Sequence, residues 1–494
     1  MTQLLRRLTA SSLAALLLCS AARAQDSVPT SVPGATTEAA GPELTLEQCI
    51  ARALQKNFDL EISRFAPQIA QDSIVVARGG FEPQLSVTGS TGENTAPGFE
   101  SKDTDLRVGV TQRLQTGTTV SASSRLNRSS SDPAPLLNPA YAADLTLSVR
   151  QSLLNGAGLA INRAGIERAE IGFARANLEY KARVLDIIQD TENAYYNLAY
   201  AREQLAVRNF SLTLANKLLD EAKTRRDTGV ATDLDVLQAE VGVANAHRSV
   251  ILAEQSVKDR QDGLLALIGQ FELDAALGTV RFKEVTAAAP VFASSYAMAK
   301  QNQPDYLSSQ AAIEQFRIDL KLAKDAARPD LTVGAALGLS GTNGSTSDAF
   351  GDAFDRQNKA WQVDFAFNYP WGQKSDRARE RQSLAALSRE QSRLRQTEQT
   401  IELQVRSAVR SVETNLESVK IASLASALSQ KQYELEKAKF DAGLSTSRRV
   451  LEAQDDLESA RVNELQAKAT LHTAIAALHR IEGSSLQRYA VELP

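Results

Sequence analysis

The chain is written twice, and any fold must accommodate two copies of one plan. Asp227-Thr228-Gly229-Val230-Ala231-Thr232 recurs as Asp441-Ala442-Gly443-Leu444-Ser445-Thr446. Val236-Leu237 and Ala239 recur as Val450-Leu451 and Ala453, at the same offset of 214 residues. Upstream, Asp59, Pro83 and Leu85 recur as Asp305, Pro329 and Leu331 at an offset of 246, so the first copy carries 32 extra residues between the two sets of matches. Each copy reads as helix, strands, long helix, D-x-G turn and helix. The expected organisation is a first repeat over 44–269, a connecting segment over 270–290, a second repeat over 291–483 and a C-terminal tail over 484–494.

The helices are patterned in sevens. Val184, Thr191, Leu198, Leu205, Leu212 and Leu219 form one row, and Val405, Val409, Val412, Leu416 and Val419 step 4-3-4-3. A sustained heptad predicts left-handed supercoiling against neighbours. Polar residues such as Arg202 on the interleaved row suggest seams that stay wet or set register. The expected long helices run over Ile166–Arg226 and Ser375–Phe440, roughly 90 and 100 Å at 1.5 Å per residue. Two shorter helices lie along each: Leu46–Arg78 with Asp233–Ile268, and Ala293–Arg328 with Ser447–Ile481. The product is a rod.

Between the helices the period changes to two. Trp361, Val363, Phe365, Phe367, Tyr369 and Trp371 alternate with polar residues, as do Leu331 to Leu339 and Leu145 to Val149. Such strands have one apolar and one polar face. A soluble sheet resting on a core gives the same alternation. Strand length and the aromatics Trp361, Phe365, Phe367, Tyr369 and Trp371 beside Pro370 favour a membrane barrel wall with an interfacial girdle. The polar stretches Asn127–Ala140 and Gly341–Asn358 read as loops.

Met1 to Ala24 reads as an export signal, with Arg6 and Arg7 before a short apolar stretch and Ala22-Arg23-Ala24 as a small-x-small site. Cys19 belongs to that signal, and residues 25–43 form a linker, which leaves Cys49 unpaired. No later apolar run is long enough for a membrane helix, so membrane entry would require a β-barrel. Two Cys exclude a Cys₄ zinc site, and with Cys19 in the signal the one remaining Cys excludes Cys₂His₂ as well. A net charge of −4 leaves no basic excess for nucleic acid. Phosphate-loop, nucleophile-elbow and H-E-x-x-H motifs are absent from the sequence, so no enzyme, metal or cofactor is expected.

These residues, in this order, resemble the TolC-like outer-membrane efflux proteins. Leu44-Thr45-Leu46-Glu47 resembles that family's first helix, and Arg78-Gly79-Gly80-Phe81-Glu82-Pro83 its helix-to-strand joint. Gln151-Ser152-Leu153-Leu154-Asn155-Gly156 and Tyr369-Pro370-Trp371-Gly372 resemble its strand-to-helix joints. The resemblance implies an α+β homotrimer whose coiled-coil helices form a periplasmic α-barrel joined to a shared transmembrane β-barrel. It implies an outer-membrane channel for efflux or type I secretion, partnered by a periplasmic adaptor, an inner-membrane pump of RND or ABC type, and outer-membrane lipid. An extra strand pair, Asp105–Arg113 and Thr118–Leu126, leaves four or six strands per chain open, because the hairpin could sit outside the wall.

The family often places acidic residues six and nine positions after the second tip glycine. Here those positions hold Arg449 and Glu452, with Asp235 and Gln238 in the first copy. Asp235, Arg449 and Glu452 are therefore gate candidates, with ordinary solvated helix charges as the alternative. Gly229, Val230, Gly443 and Leu444 are candidates for adaptor docking, and Thr232 or Thr446 for capping the following helix. The rival reading from another class is a soluble periplasmic coiled-coil scaffold.

Overall fold

The computed structural model describes residues 44–269, 277–282, 289–355 and 358–491. The expected export signal, Cys19, the 25–43 linker and most of 270–290 lie outside these residues. The first copy opens with α1 (Leu46–Lys56), α2 (Phe58–Ser63) and α3 (Phe65–Gly79). Then come β1 (Gln84–Ala96), β2 (Phe99–Arg113), β3 (Thr118–Asp132), β4 (Ala140–Ser152) and the short α4 (Leu159–Asn162). It closes with α5 (Ala164–Asp227) and α6 (Asp233–Leu267). The second copy has α7 (Phe292–Asn302), α8 (Pro304–Ala326), β5 (Asp330–Asn343), α9 (Thr346–Phe354) and β6 (Lys359–Asn368). It ends with α10 (Lys374–Asp441), α11 (Ser447–Glu482) and α12 (Ser485–Arg488).

The two long helices have 64 and 68 residues, about 95 and 100 Å. Two expected helices are broken instead of continuous. Leu46–Arg78 is interrupted at Asn57 and again at Arg64, and Ala293–Arg328 at Gln303. Gln303 is extended (φ −70°, ψ 121°) because Pro304 follows it. A proline lacks an N–H and disfavours the helical region in the residue before it. Asn57 adopts nearly the same conformation without a proline. Its Oδ1 accepts from the Leu60 N–H at 3.2 Å, and its amide donates to the Leu267 carbonyl at 3.0 Å.

These two breaks receive the ends of α6 and α11. Gly269 (φ +71°) and Gly483 (φ +67°) terminate those helices in the left-handed region. A Cβ on Gly269 would lie 2.2 Å from the Lys56 carbonyl oxygen, and one on Gly483 2.8 Å from the Asn302 Cβ. The main cores surround these joints. Ile50, Leu185, Ile188, Leu198, Leu264 and Leu265 are buried at one. Ala299, Val405, Val412 and Leu471 are buried at the other. The core is thus a belt midway along the rod. Arg202, polar on an otherwise apolar row, donates to the carbonyls of Gly278 (2.6 Å) and Leu277 (3.2 Å), fixing the connecting segment to α5.

The four helices on the sheet side of the belt pack in the order α3, α5, α8, α10. On the far side the order is α6, α5, α11, α10. The seam on α5 changes with its partners. Val184, Thr191 and Leu198 are buried as the heptad predicts, but below the belt Leu205, Leu212 and Leu219 are only half-buried. Ser211, Ala215, Leu218 and Ala222 carry the lower seam. A straight helix drifts by about 20° per heptad, enough to move the contact row by one position over this length.

All six strands form one antiparallel meander, β1 to β6 in chain order. The extra pair is therefore β2–β3, inside the sheet between β1 and β4. The strands are longer than the alternation suggests: Asn127–Asp132 continues β3, and Gly341–Asn343 continues β5. The expected Gly341–Asn358 loop also contains α9, started by Ser345, whose hydroxyl accepts from the Asp348 N–H at 3.3 Å. β6 stops at Asn368, so Tyr369 and Trp371 occupy the joint to α10, where Pro370 cannot donate to the ladder and Gly372 has φ +92°.

Candidate channel wall and periplasmic tips

Register assigns the two faces of the sheet. Leu85, Val110, Ala122, Leu147, Leu337 and Trp361 are direct cross-strand partners in one row. The adjacent row, on the opposite face, is Ser86, Gly109, Ser123, Thr146, Gly338 and Ala360. One face is greasy across all six strands, and the other is small and polar. The polar face also carries charge, with the Arg125 guanidinium paired to Asp105 on the neighbouring strand. Of the expected girdle, Trp361 (78% exposed), Phe365 (77%) and Phe367 lie on the apolar face of β6. Tyr369 stacks on Phe367 with ring centroids 6.4 Å apart, and Trp371 projects fully into the surroundings. Among the described residues, the outer edges of β1 and β6 have no strand paired to them.

At the opposite end of the rod, both D-x-G turns close in the same way. The Val230 N–H donates to the Arg225 carbonyl at 2.8 Å, and the Gly229 N–H to that of Arg226 at 2.9 Å. Leu444 to Lys439 (2.8 Å) and Gly443 to Phe440 (3.0 Å) repeat the pattern. These are Schellman motifs, which require φ > 0 at the glycine, and Gly229 (+77°) and Gly443 (+75°) supply it. The motifs leave Val230 and Leu444 projecting from the tips, 77% and 78% exposed.

The following helices start differently. Thr232 and Asp235 form a capping box: the Asp235 N–H donates to the Thr232 hydroxyl at 3.3 Å, and the Thr232 N–H donates to the Asp235 carboxylate at 2.9 Å. Those bonds, first the backbone N–H and then the hydroxyl, hold the Asp235 carboxyl below its ordinary pKa. Thr446 makes no side-chain capping bond, and the equivalent third position holds Arg449, which has no acceptor to return a bond to the Thr446 N–H. Glu452 pairs with Arg448 at 2.9 Å on the exposed face of α11, and Arg449 is itself exposed. Among the described residues, no ion pair joins Asp235, Arg449 and Glu452 to one another within the chain.

Sequence reasoning missed the links that tie the two coils together just inside the tips. The Arg225 guanidinium sits 3.9 Å over the Phe440 ring and donates to the Phe440 carbonyl at 3.1 Å. One turn inward, Lys437 on α10 pairs with Glu221 on α5 at 3.2 Å. Leu218, Tyr433, Val450 and Leu457 are buried beneath. The available signal was a departure between the copies, since Phe440 stands where the first copy has Arg226.

A shaft of paired helices capped by a sheet with a continuous apolar outer face defines a membrane channel carried on a helical tunnel. The outer membrane efflux protein family matches residues 49–270 and 295–484, and the chain belongs to that family. The chain is thus an outer-membrane efflux channel of Gram-negative type, with its helical tunnel in the periplasm. It is similar to the pyoverdine export outer membrane protein OpmQ of Pseudomonas aeruginosa, 25% identical over 363 residues, covering 70% of each chain. Its fold is similar to that of the outer-membrane channel OprN, with TM-score 0.69 and 20% identity over 89% of both chains. The outer membrane protein VceC from Vibrio cholerae gives TM-score 0.67 and 18% identity, over 89% of this chain and 96% of that one.

Proposed function

We propose that three copies of this chain close one β-barrel in outer-membrane lipid and one helical tunnel beneath it, and that the tunnel receives cargo from a periplasmic adaptor and an inner-membrane pump of RND or ABC type. The observation that carries this reading is the sheet with one apolar face and two unpaired edges. Open edges are not tolerated in hydrocarbon, where each unpaired backbone group is costly. Self-association satisfies β1 and β6 without a second protein. A soluble scaffold would instead have to cover Trp361 and Phe365, which lie open.

The tips are the control point in this reading. Asp235, Arg449 and Glu452 lie within the first three turns past the tip glycines, and ring formation by three copies would bring like positions together near the axis. Arg449→Ala in planar bilayers should raise single-channel conductance; unchanged conductance together with unchanged ion selectivity removes Arg449 from the gate. Val230 and Leu444, held outward by Gly229 and Gly443, present the apolar contact for the adaptor. Val230→Asp combined with Leu444→Asp should abolish efflux in cells while trimer in the membrane stays at wild-type level. Persisting efflux would move docking elsewhere.

A further inference from the structure

The β2–β3 hairpin is fastened into the molecule at its periplasmic turn. Gly117 has φ +90°, and a Cβ there would lie 2.5 Å from the Gly156 carbonyl oxygen. The Gly158 N–H donates to the Thr116 carbonyl at 3.1 Å, and Arg113 donates to the Asn162 Oδ1 at 2.8 Å. Asn162 in turn donates to the carbonyls of Gly156 (2.8 Å) and Gly158 (2.9 Å). The hairpin turn is thus clamped on the joint that leads from β4 into α5. Above it, β2 pairs along its length with β1 on one side and β3 on the other, and the apolar row crosses the hairpin through Val110 and Ala122. A hairpin lying outside the wall would not share that row, nor need the clamp.

Width follows from strand count. Strands spaced about 4.8 Å apart and tilted by about 40° each occupy about 6.3 Å of circumference. Twelve strands then give a backbone diameter of about 24 Å, and eighteen about 36 Å. The tunnel below has four helices per chain at the sheet side, α3, α5, α8 and α10. Twelve helices at interaxial distances of about 8–10 Å make a ring about 31–38 Å across. At that tilt the eighteen-stranded barrel comes nearer to that ring, and a twelve-stranded one would need a steeper tilt to reach it.

We propose that the β2–β3 hairpin is a wall segment which brings the trimeric barrel to eighteen strands and widens its outer-membrane exit accordingly. This rests on the trimeric channel reading above. Its consequence is for cargo size: at a given tilt the perimeter of the exit is about half as large again as that of a twelve-stranded barrel. Allowing about 5 Å of side chain on each wall, the lumen is about 26 Å wide, against about 14 Å for twelve strands.

The test uses the full chain in the outer membrane, with Cys49 as a silent background because it is fully buried. Single cysteines are placed at Val110→Cys and Ala122→Cys on the apolar face, and at Thr111→Cys and Ser123→Cys on the polar face. A small membrane-impermeant maleimide should label Thr111→Cys and Ser123→Cys. Bimane attached at Val110→Cys and Ala122→Cys in detergent should be quenched by nitroxide-bearing phospholipid after reconstitution. Water access at all four positions, or quenching at none, overturns the wall assignment. A maleimide carried on a polymer about 20 Å across should still reach Ser123→Cys from the extracellular side, since about 26 Å admits it and about 14 Å does not; exclusion of that probe overturns the width. Native mass of the labelled complexes separates the two layers. A complex that is not trimeric ends the parent reading. A trimer with the wrong accessibility ends this proposal alone.

Discussion

Gly269 and Gly483 each end a helix in a conformation that side chains rarely adopt, with backbone of another helix where a Cβ would go. Gly269→Ala should cost about 2 kcal/mol or more, through strain at positive φ and a collision with the Lys56 carbonyl that only a backbone shift can relieve. Denaturant unfolding would read this as a lower midpoint at unchanged slope. Cys49 lies in the same joint, and burial pushes its thiol up to about 11. A maleimide at pH 8 should leave it untouched in the folded protein and modify it after denaturation. His479, near the end of α11, is pushed down to about 4 by burial and then by the Arg488 guanidinium, which donates to its Nε2 at 3.0 Å. An unfolded imidazole titrates near 6.5, so between these values only the unfolded chain binds the proton. The stability supplied by the neutral ring therefore falls as pH drops below about 6.5 and is gone below about 4. Thermal melts at stepped pH should show wild type losing stability relative to His479→Gln across that window, and parallel profiles would contradict the assignment. None of these roles was legible in the sequence. The glycines, the cysteine and the histidine acquire them from partners far along the chain, or from the chain terminus folding back.

At the level of elements, legibility tracked the strength of the repeat. The heptads predict α5 and α10 to within a few residues at each end, because dozens of positions vote together. The breaks at Asn57 and Gln303 were hidden in otherwise helical stretches. Gln303-Pro304 carried a usable warning in its proline, whereas Asn57 is decided by its bond to Leu267 across the joint. β1 gives no alternation to read, because beyond Val87 it is Thr, Gly, Ser, Glu and Asn with a final Ala. It becomes a strand through its full-length pairing with β2. The tips show the same division. The D-x-G spelling predicts both Schellman turns, but the Arg225–Phe440 stack joins elements far apart in the chain. That stack and its hydrogen bond are worth about 1–2 kcal/mol together. Arg225→Ala should loosen the contact between the coils and increase the open fraction in bilayer recordings, and still more with Lys437→Ala. Recordings indistinguishable from wild type would make the stack purely a packing feature.

For the whole molecule, duplication was the feature that carried furthest. Two copies of one plan predict two long helices flanked by shorter ones, and the family assignment agrees with that layout. What one copy of the sequence does not contain is closure. Among the described residues, a single chain presents an apolar wall six strands wide with both edges open, and helices at both flanks with exposed apolar side chains, such as Val76 on α3 and Leu424 on α10. Every one of those surfaces is satisfied at once if identical copies stand side by side around an axis. Native mass spectrometry of the protein extracted in mild detergent from outer membranes tests this most directly. The account predicts a single species at three times the mass of one chain, and a monomer, or any stable species of another stoichiometry, contradicts it.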